Sequence, residues 1–130
     1  MTKRLATPTL LAAFLLVAPG VTPVLGQAPT VEAQLGTSIV DRMPQGTATS
    51  FPAAVGEVYC WMRITGAANS TVTHVWIHDG TEYPVQLNVG GSPWRTWSSK
   101  VIPPEWAGQW RVEVRGANGT VLQTLNFTVG

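Results

Sequence analysis

Seven consecutive residues, Trp94-Arg95-Thr96-Trp97-Ser98-Ser99-Lys100, bring together two indoles, two cations and three hydroxyl groups. Arg95 and Lys100 flank Trp97, so they could grip an acidic sugar or a partner's carboxylate. The alternative is a structural cation stacked on an indole, an interaction of about 0.5–2 kcal/mol. Ser98 and Ser99 become nucleophiles if a histidine reaches them, and the chain offers His74 and His78. No Gly-x-Ser-x-Gly turn is present to project such a serine, so no residue is named as catalytic. Asp79, Glu82 and Glu105 could supply paired carboxylates, but nothing in their spacing fixes a separation.

His74 and His78 also invite a metal. Four apart on one strand, they stand roughly 13 Å from each other at about 3.3 Å per residue. A shared zinc needs both ring nitrogens about 2.1 Å away. The segment is rich in β-branched residues and ends in Asp79-Gly80, which argues against the helix that would join them. No metal and no cofactor is expected. Cys60, the single cysteine, cannot form an internal disulfide. It alternates with Val58, Met62 and Ile64 on one apolar strand face and reads as a buried, unreactive thiol.

All six Trp lie between Trp61 and Trp110. Trp110 is expected in the core, and Trp61, Trp76 and Trp94 are candidates for exposure. An exposed Trp76 beside His74 and Gln86 would suit a sugar ring, with its hydroxyls hydrogen-bonded by the polar neighbours. The same face would suit a protein partner, since aromatic anchors dominate interfaces. The candidate binding residues are thus Trp76, His74, Gln86, Arg95, Trp97 and Lys100.

The elements that must carry these residues are strands. Short runs rich in Val, Ile, Thr and aromatics sit between Gly, Pro and Asn clusters, with no helical period. The expected strands are Val31–Leu35, Ser38–Val40, Glu57–Thr65, Thr73–His78, Tyr83–Val89, Arg95–Val101, Gln109–Arg115 and Val121–Val129, with 41–56 as a loop. Asn118-Gly119 predicts a two-residue type I′ hairpin. That turn places Val112 opposite Leu125, Trp110 opposite Phe127, Arg111 opposite Asn126 and Glu113 opposite Thr124, so apolar meets apolar. A second hairpin has two registers. With Asp79-Gly80 as a two-residue turn, Trp76 faces Tyr83. With a three-residue loop His78-Asp79-Gly80, Val75 faces Tyr83. The second separates apolar from polar side chains better and is preferred, leaving Trp76 on a polar face.

Packing two such antiparallel sheets gives an all-β, immunoglobulin-like sandwich of about seven to eight strands. The run Gly108-Gln109-Trp110-Arg111-Val112-Glu113-Val114 resembles the strand that opens the last hairpin of such domains, although their paired cysteines are absent.

The N-terminus reads as an export signal. Lys3 and Arg4 precede the uncharged apolar run Leu10 to Val17, and Val24-Leu25-Gly26 offers a cleavage site after Gly26. The apolar run is shorter than the roughly 20 residues that span a bilayer. The expected organisation is residues 1–26 as signal peptide, 27–30 as a short leader and 31–130 as one domain, exported to the periplasm or beyond, without stable membrane insertion after cleavage. Removing Lys3 and Arg4 from the 8 basic residues leaves 6 against 7 acidic ones. Without a basic surplus, nucleic acid is not an expected partner.

The pieces Asp41-Arg42-Met43-Pro44, Val58-Tyr59-Cys60-Trp61, His74-Val75-Trp76, the Trp94–Lys100 segment and Gly108–Val114 together resemble the bacterial domain of unknown function 2914 family. The resemblance implies an extracytoplasmic β-domain, of a kind found in envelope proteins and often attached to other segments. It supplies no reaction or ligand. The expected function is a non-enzymatic binding or interaction module of the bacterial envelope, meeting an envelope protein or a neutral glycan. The alternatives are a carbohydrate-binding module using exposed Trp, and a small exported hydrolase.

Overall fold

A computed structural model of the protein describes residues 28–130. The expected signal peptide lies outside the described residues. Ten strands follow in chain order: β1 (Thr30–Gly36), β2 (Ser38–Val40), β3 (Met43–Gln45), β4 (Ser50–Phe51), β5 (Gly56–Thr65), β6 (Ser70–His78), β7 (Thr81–Val89), β8 (Trp94–Ile102), β9 (Gly108–Arg115) and β10 (Val121–Val129). One turn of 3-10 helix, Pro104–Trp106, joins β8 to β9. The stretch expected to be a loop holds β3, β4 and two turns, which accounts for ten strands among the described residues where seven to eight were expected.

The strands form a five-stranded sheet in the order β4-β10-β9-β6-β7, a three-stranded sheet in the order β1-β5-β8, and a ribbon of β2 and β3. Every pairing is antiparallel except β4 with β10. Placing the last hairpin beside β6, with β1, β5 and β8 in the opposite sheet, is the immunoglobulin-like arrangement. Two apolar clusters fill the space between the sheets. One gathers Leu35, Phe51, Val58, Cys60, Trp76, Ile102, Trp110, Val112, Phe127 and Val129. The other gathers Met62, Ile64, Ala67, Val72, Val89 and Val114.

The C-terminal hairpin has the expected register, including Trp110 opposite Phe127 and Glu113 opposite Thr124. Its turn is different. Gly116 N–H donates to the Thr120 carbonyl at 2.8 Å and Gly119 N–H to the Gly116 carbonyl at 2.9 Å. Only Gly119 has positive φ, 86°. This is a three-residue loop, which alone would shift the strands by one position. Leu122 restores the register as an unpaired bulge between Arg115 opposite Val121 and Val114 opposite Gln123.

The β6–β7 hairpin corrects the preferred reading. Trp76 pairs with Tyr83, His74 with Val85 and Thr73 with Gln86. Asp79 and Gly80 both have positive φ, 48° and 78°, as a two-residue type I′ turn requires. Val72, His74 and Trp76 therefore face the core with Tyr83, Val85 and Leu87, while Gln86 is exposed on the other side. Val75 and Ile77 point outward yet are buried. They sit opposite Glu113, Glu82 and Arg111, beneath ion pairs of Arg115 with Glu82 and Glu113 and of Arg111 with Glu113. Charged side chains with long apolar stems cover that face, so β6 is apolar on both sides and its alternation misleads.

Candidate functional site

The motif around β8 is divided by strand parity. Ser98, Lys100 and Ile102 turn towards the opposite sheet, and Arg95, Trp97, Ser99 and Val101 turn outward. Each half makes a separate constellation.

The inner half forms a polar pin between the sheets. Ser98 Oγ lies 2.7 Å from His74 Nδ1 and accepts the Trp76 indole N–H at 3.1 Å. His74 and Trp76 are wholly buried, and Ser98 is 6% exposed. The pin separates the two apolar clusters. His74's strand neighbours are Val85 and Val114, and Ser98's is Cys60, so no charge offsets the burial. Burial pushes the His74 imidazole down to about 4. Its Nε2 is buried without a partner. A serine hydroxyl on an imidazole is the geometry of nucleophile activation, but here both groups are shut between the sheets. Trp76, expected on a polar face, occupies the place of the buried Trp that marks the third strand of immunoglobulin domains. Cys60 is equally enclosed, and burial pushes its thiol up to about 12.

Lys100 is not beside Trp97. Its Nζ lies 4.5 Å from the Tyr83 ring centre and 5.1 Å from that of Trp106, at the end of the sandwich where His78 stacks on Trp110 at 4.4 Å. The Trp110 indole N–H donates to the Trp106 carbonyl at 2.9 Å. Two rings thus hold the Lys100 ammonium internally. The sequence alone missed this cluster, because Tyr83 and Trp106 are 23 positions apart and meet only through the sheet packing.

The outer half forms a cleft on the face of the three-stranded sheet. Cross-strand rows run Glu32-Arg63-Arg95 and Gln34-Trp61-Trp97 over β1, β5 and β8. The β2–β3 ribbon folds over the second row. Its two-residue turn, Asp41-Arg42, has φ of 53° and 62°. The Arg42 carbonyl accepts the Trp61 indole N–H at 2.8 Å, and its guanidinium donates to the Arg95 carbonyl at 3.0 Å and stands 5.6 Å over the Trp97 ring. This lid explains why Trp61, an exposure candidate, is only 1% exposed. Trp97 does stack on a cation, but the cation is Arg42. Trp94 is half-buried, with its indole packed against Gly90.

Glu32, Arg42, Met43, Trp61, Arg63, Pro93, Trp94 and Arg95 enclose about 560 Å³, within the range of ligand sites. Arg63 and Arg95 stand directly opposite each other, an arrangement that costs stability. Among the described residues Arg111 and Arg115 are ion-paired and Lys100 is ring-bound, whereas Arg42, Arg63 and Arg95 have no carboxylate within ion-pair distance. The three unpaired guanidiniums therefore share one cleft. Of the expected binding residues, only Arg95 and Trp97 belong to this face. Among the described residues no three His, Cys, Asp or Glu side chains gather as metal ligands.

A family described as "Protein of unknown function (DUF2914)" matches residues 69–129. The match covers β6 to β10, so the Asp41–Pro44 and Val58–Trp61 pieces of the sequence resemblance lie outside it. No curated protein matches the chain. The cleft takes Trp94 and Arg95 from the matched segment, and Glu32, Arg42 and Arg63 from β1, the β2–β3 turn and β5 before it.

Proposed function

We propose, for a chain whose residues 69–129 belong to the DUF2914 family, a binding module of the bacterial envelope that recognises its ligand on the outer face of the three-stranded sheet. The observation that carries this reading is the division of β8. The hydroxyl and imidazole that could attack a substrate are locked in the core, while unpaired guanidiniums line an open cleft. Binding needs only such a preformed surface. The glycan face built on Trp76, His74 and Gln86 is set aside, because two of the three are buried and Gln86 points away from them.

Export is part of the same reading and rests on the basic start and apolar run of residues 1–26. N-terminal sequencing of exported protein should give a start near Gln27, and recovery of intact Met1 in a membrane fraction would refute it.

The recognition surface is tested by capture from an envelope extract. Arg63→Glu inverts charge at the cleft, and Gln86→Glu does the same on the other sheet. Loss of the captured species with Arg63→Glu alone supports the assignment. Equal loss or equal retention in both variants refutes it.

A further inference from the structure

We propose that the cleft between Arg42, Arg63, Arg95 and Glu32 takes a sugar that carries a carboxylate, a uronic acid within an acidic glycan. This rests on the reading of that face as the recognition surface and names the ligand class.

Three features point to an anion. Three guanidiniums line one cleft with no carboxylate within ion-pair distance among the described residues, although Arg111 and Arg115 elsewhere on the surface are ion-paired. Arg63 and Arg95 face each other across β5 and β8, and an anion between them turns that repulsion into attraction. Arg42 occupies a left-handed turn position, φ 62°, where glycine would cost less. Two locally unfavourable choices thus fall on arginines of one cleft, and such violations concentrate at functional sites.

Glu32 narrows the anion to one that also donates hydrogen bonds. It sits beside Arg63 in the same row and lines the cleft. A phosphate dianion meets repulsion there. The hydroxyls of a pyranose can donate to the Glu32 carboxylate while the ring's own carboxylate accepts from the guanidiniums. Pro93, exposed at the rim of the cleft, supplies an apolar surface for the C–H face of the ring. Arg95 already donates to the Met43 sulfur at 3.4 Å and Arg42 to the Arg95 carbonyl, so both forks are oriented. Arg63 is exposed, with no hydrogen bond among the described residues, and is the fork left free to close on the ligand.

The test is calorimetric titration of the full protein with an oligogalacturonate, a galactose oligomer of equal length, a polyglutamate peptide and inorganic phosphate. The oligogalacturonate is expected to bind, the neutral oligomer to fail, and affinity to fall as salt is raised. Arg63→Gln should weaken binding at least about tenfold, the loss of one charge-assisted hydrogen bond. Its melting temperature should change little, because that exposed side chain makes no hydrogen bond and stands between a like charge, Arg95, and an opposite one, Glu32. Arg63→Lys, which keeps the charge but loses the fork, should fall between. Equal binding of the neutral oligomer, unchanged affinity in Arg63→Gln, or no binding of the oligogalacturonate would overturn the proposal. Tighter binding of polyglutamate or phosphate would overturn the sugar while leaving the face as a recognition surface.

Discussion

Acid should loosen this sandwich through one buried imidazole. His74 is wholly buried, and burial holds its pKa at about 4 against an ordinary 6.5. The folded pKa is the lower one, so the unfolded chain takes up the proton first as pH falls. The folded protein keeps its full advantage above about pH 6.5, loses it progressively between 6.5 and 4, and has lost it all below about 4. At about 1.4 kcal/mol per pH unit, the shift amounts to about 3 kcal/mol, a large share of the roughly 5–15 kcal/mol that stabilises a small domain. The protonated ring would carry two donors, with Ser98 Oγ beside Nδ1 and no partner at Nε2. His74→Leu removes the titration and leaves the Trp76–Ser98 hydrogen bond in place. Urea denaturation followed by Trp fluorescence, from pH 8 to 4, measures both proteins. The stability of His74→Leu relative to the parent should rise by about 3 kcal/mol across that window. Groups elsewhere titrate alike in both and cancel, among them Glu113, whose pKa is lowered chiefly by its hydrogen bond with Arg115. Parallel curves would refute the reasoning, since the imidazole would then titrate in the fold as it does in the open chain.

Trp76→Ala and Trp110→Ala should each cost about 3–5 kcal/mol in urea melts, since both indoles are buried; a loss below about 1 kcal/mol at Trp76 would contradict its core position. Cys60 should resist a thiol reagent in the native protein and react readily in denaturant, because its thiolate is suppressed by burial, and Cys60→Ala should cost about 1 kcal/mol or somewhat more through lost volume. Gly80→Ala should destabilise by roughly 1–2 kcal/mol through backbone strain alone, as its φ is 78° and an added Cβ would meet nothing within 4 Å; a neutral result by denaturant titration would argue against the type I′ turn.

Much of the fold was legible because strand signals are local. The β2 and β10 boundaries agree with the expected ones, and the apolar face of β5 through Val58, Cys60, Met62 and Ile64 is wholly buried. The C-terminal register was legible for a different reason than the turn motif suggested. Matching apolar pairs fix it, and the Leu122 bulge absorbs the extra loop residue. The β6–β7 register was misread through His74. The slipped pairing set Val75 and Ile77 with Val85 and Leu87 and put His74 with the polar side chains, and only Ser98, 24 positions away in the opposite sheet, makes the burial of His74 tolerable. The Asp79-Gly80 turn was the stronger local signal. The cleft was legible only in Arg95 and Trp97. Arg42 lay in a stretch read as loop, and its arrival over Trp97 depends on a left-handed Asp-Arg turn that residue preferences disfavour.

The parity of β8 ties these observations together. A strand turns alternate residues to opposite faces, so a motif of seven polar and aromatic residues cannot act as one site. Here Ser98 meets His74 and Trp76 inside, and Lys100 meets Tyr83 and the exposed Trp106 at the end of the sandwich. Arg95 and Trp97 meet Arg63, Trp61 and Arg42 outside. A one-residue slip would exchange the two sets, placing the Arg95 guanidinium between the sheets and taking Ser98 away from the Trp76 indole. Both changes leave buried polar groups unpaired, at about 1–3 kcal/mol for a neutral group and more for a charged one. The motif therefore enforces its own register, and by doing so delivers an arginine to the outer face at a fixed place opposite Arg63. On this argument the density of functional groups in Trp94–Lys100 reflects two separate tasks, locking the sheets together and equipping one face for an anion, that a single strand performs with alternate residues.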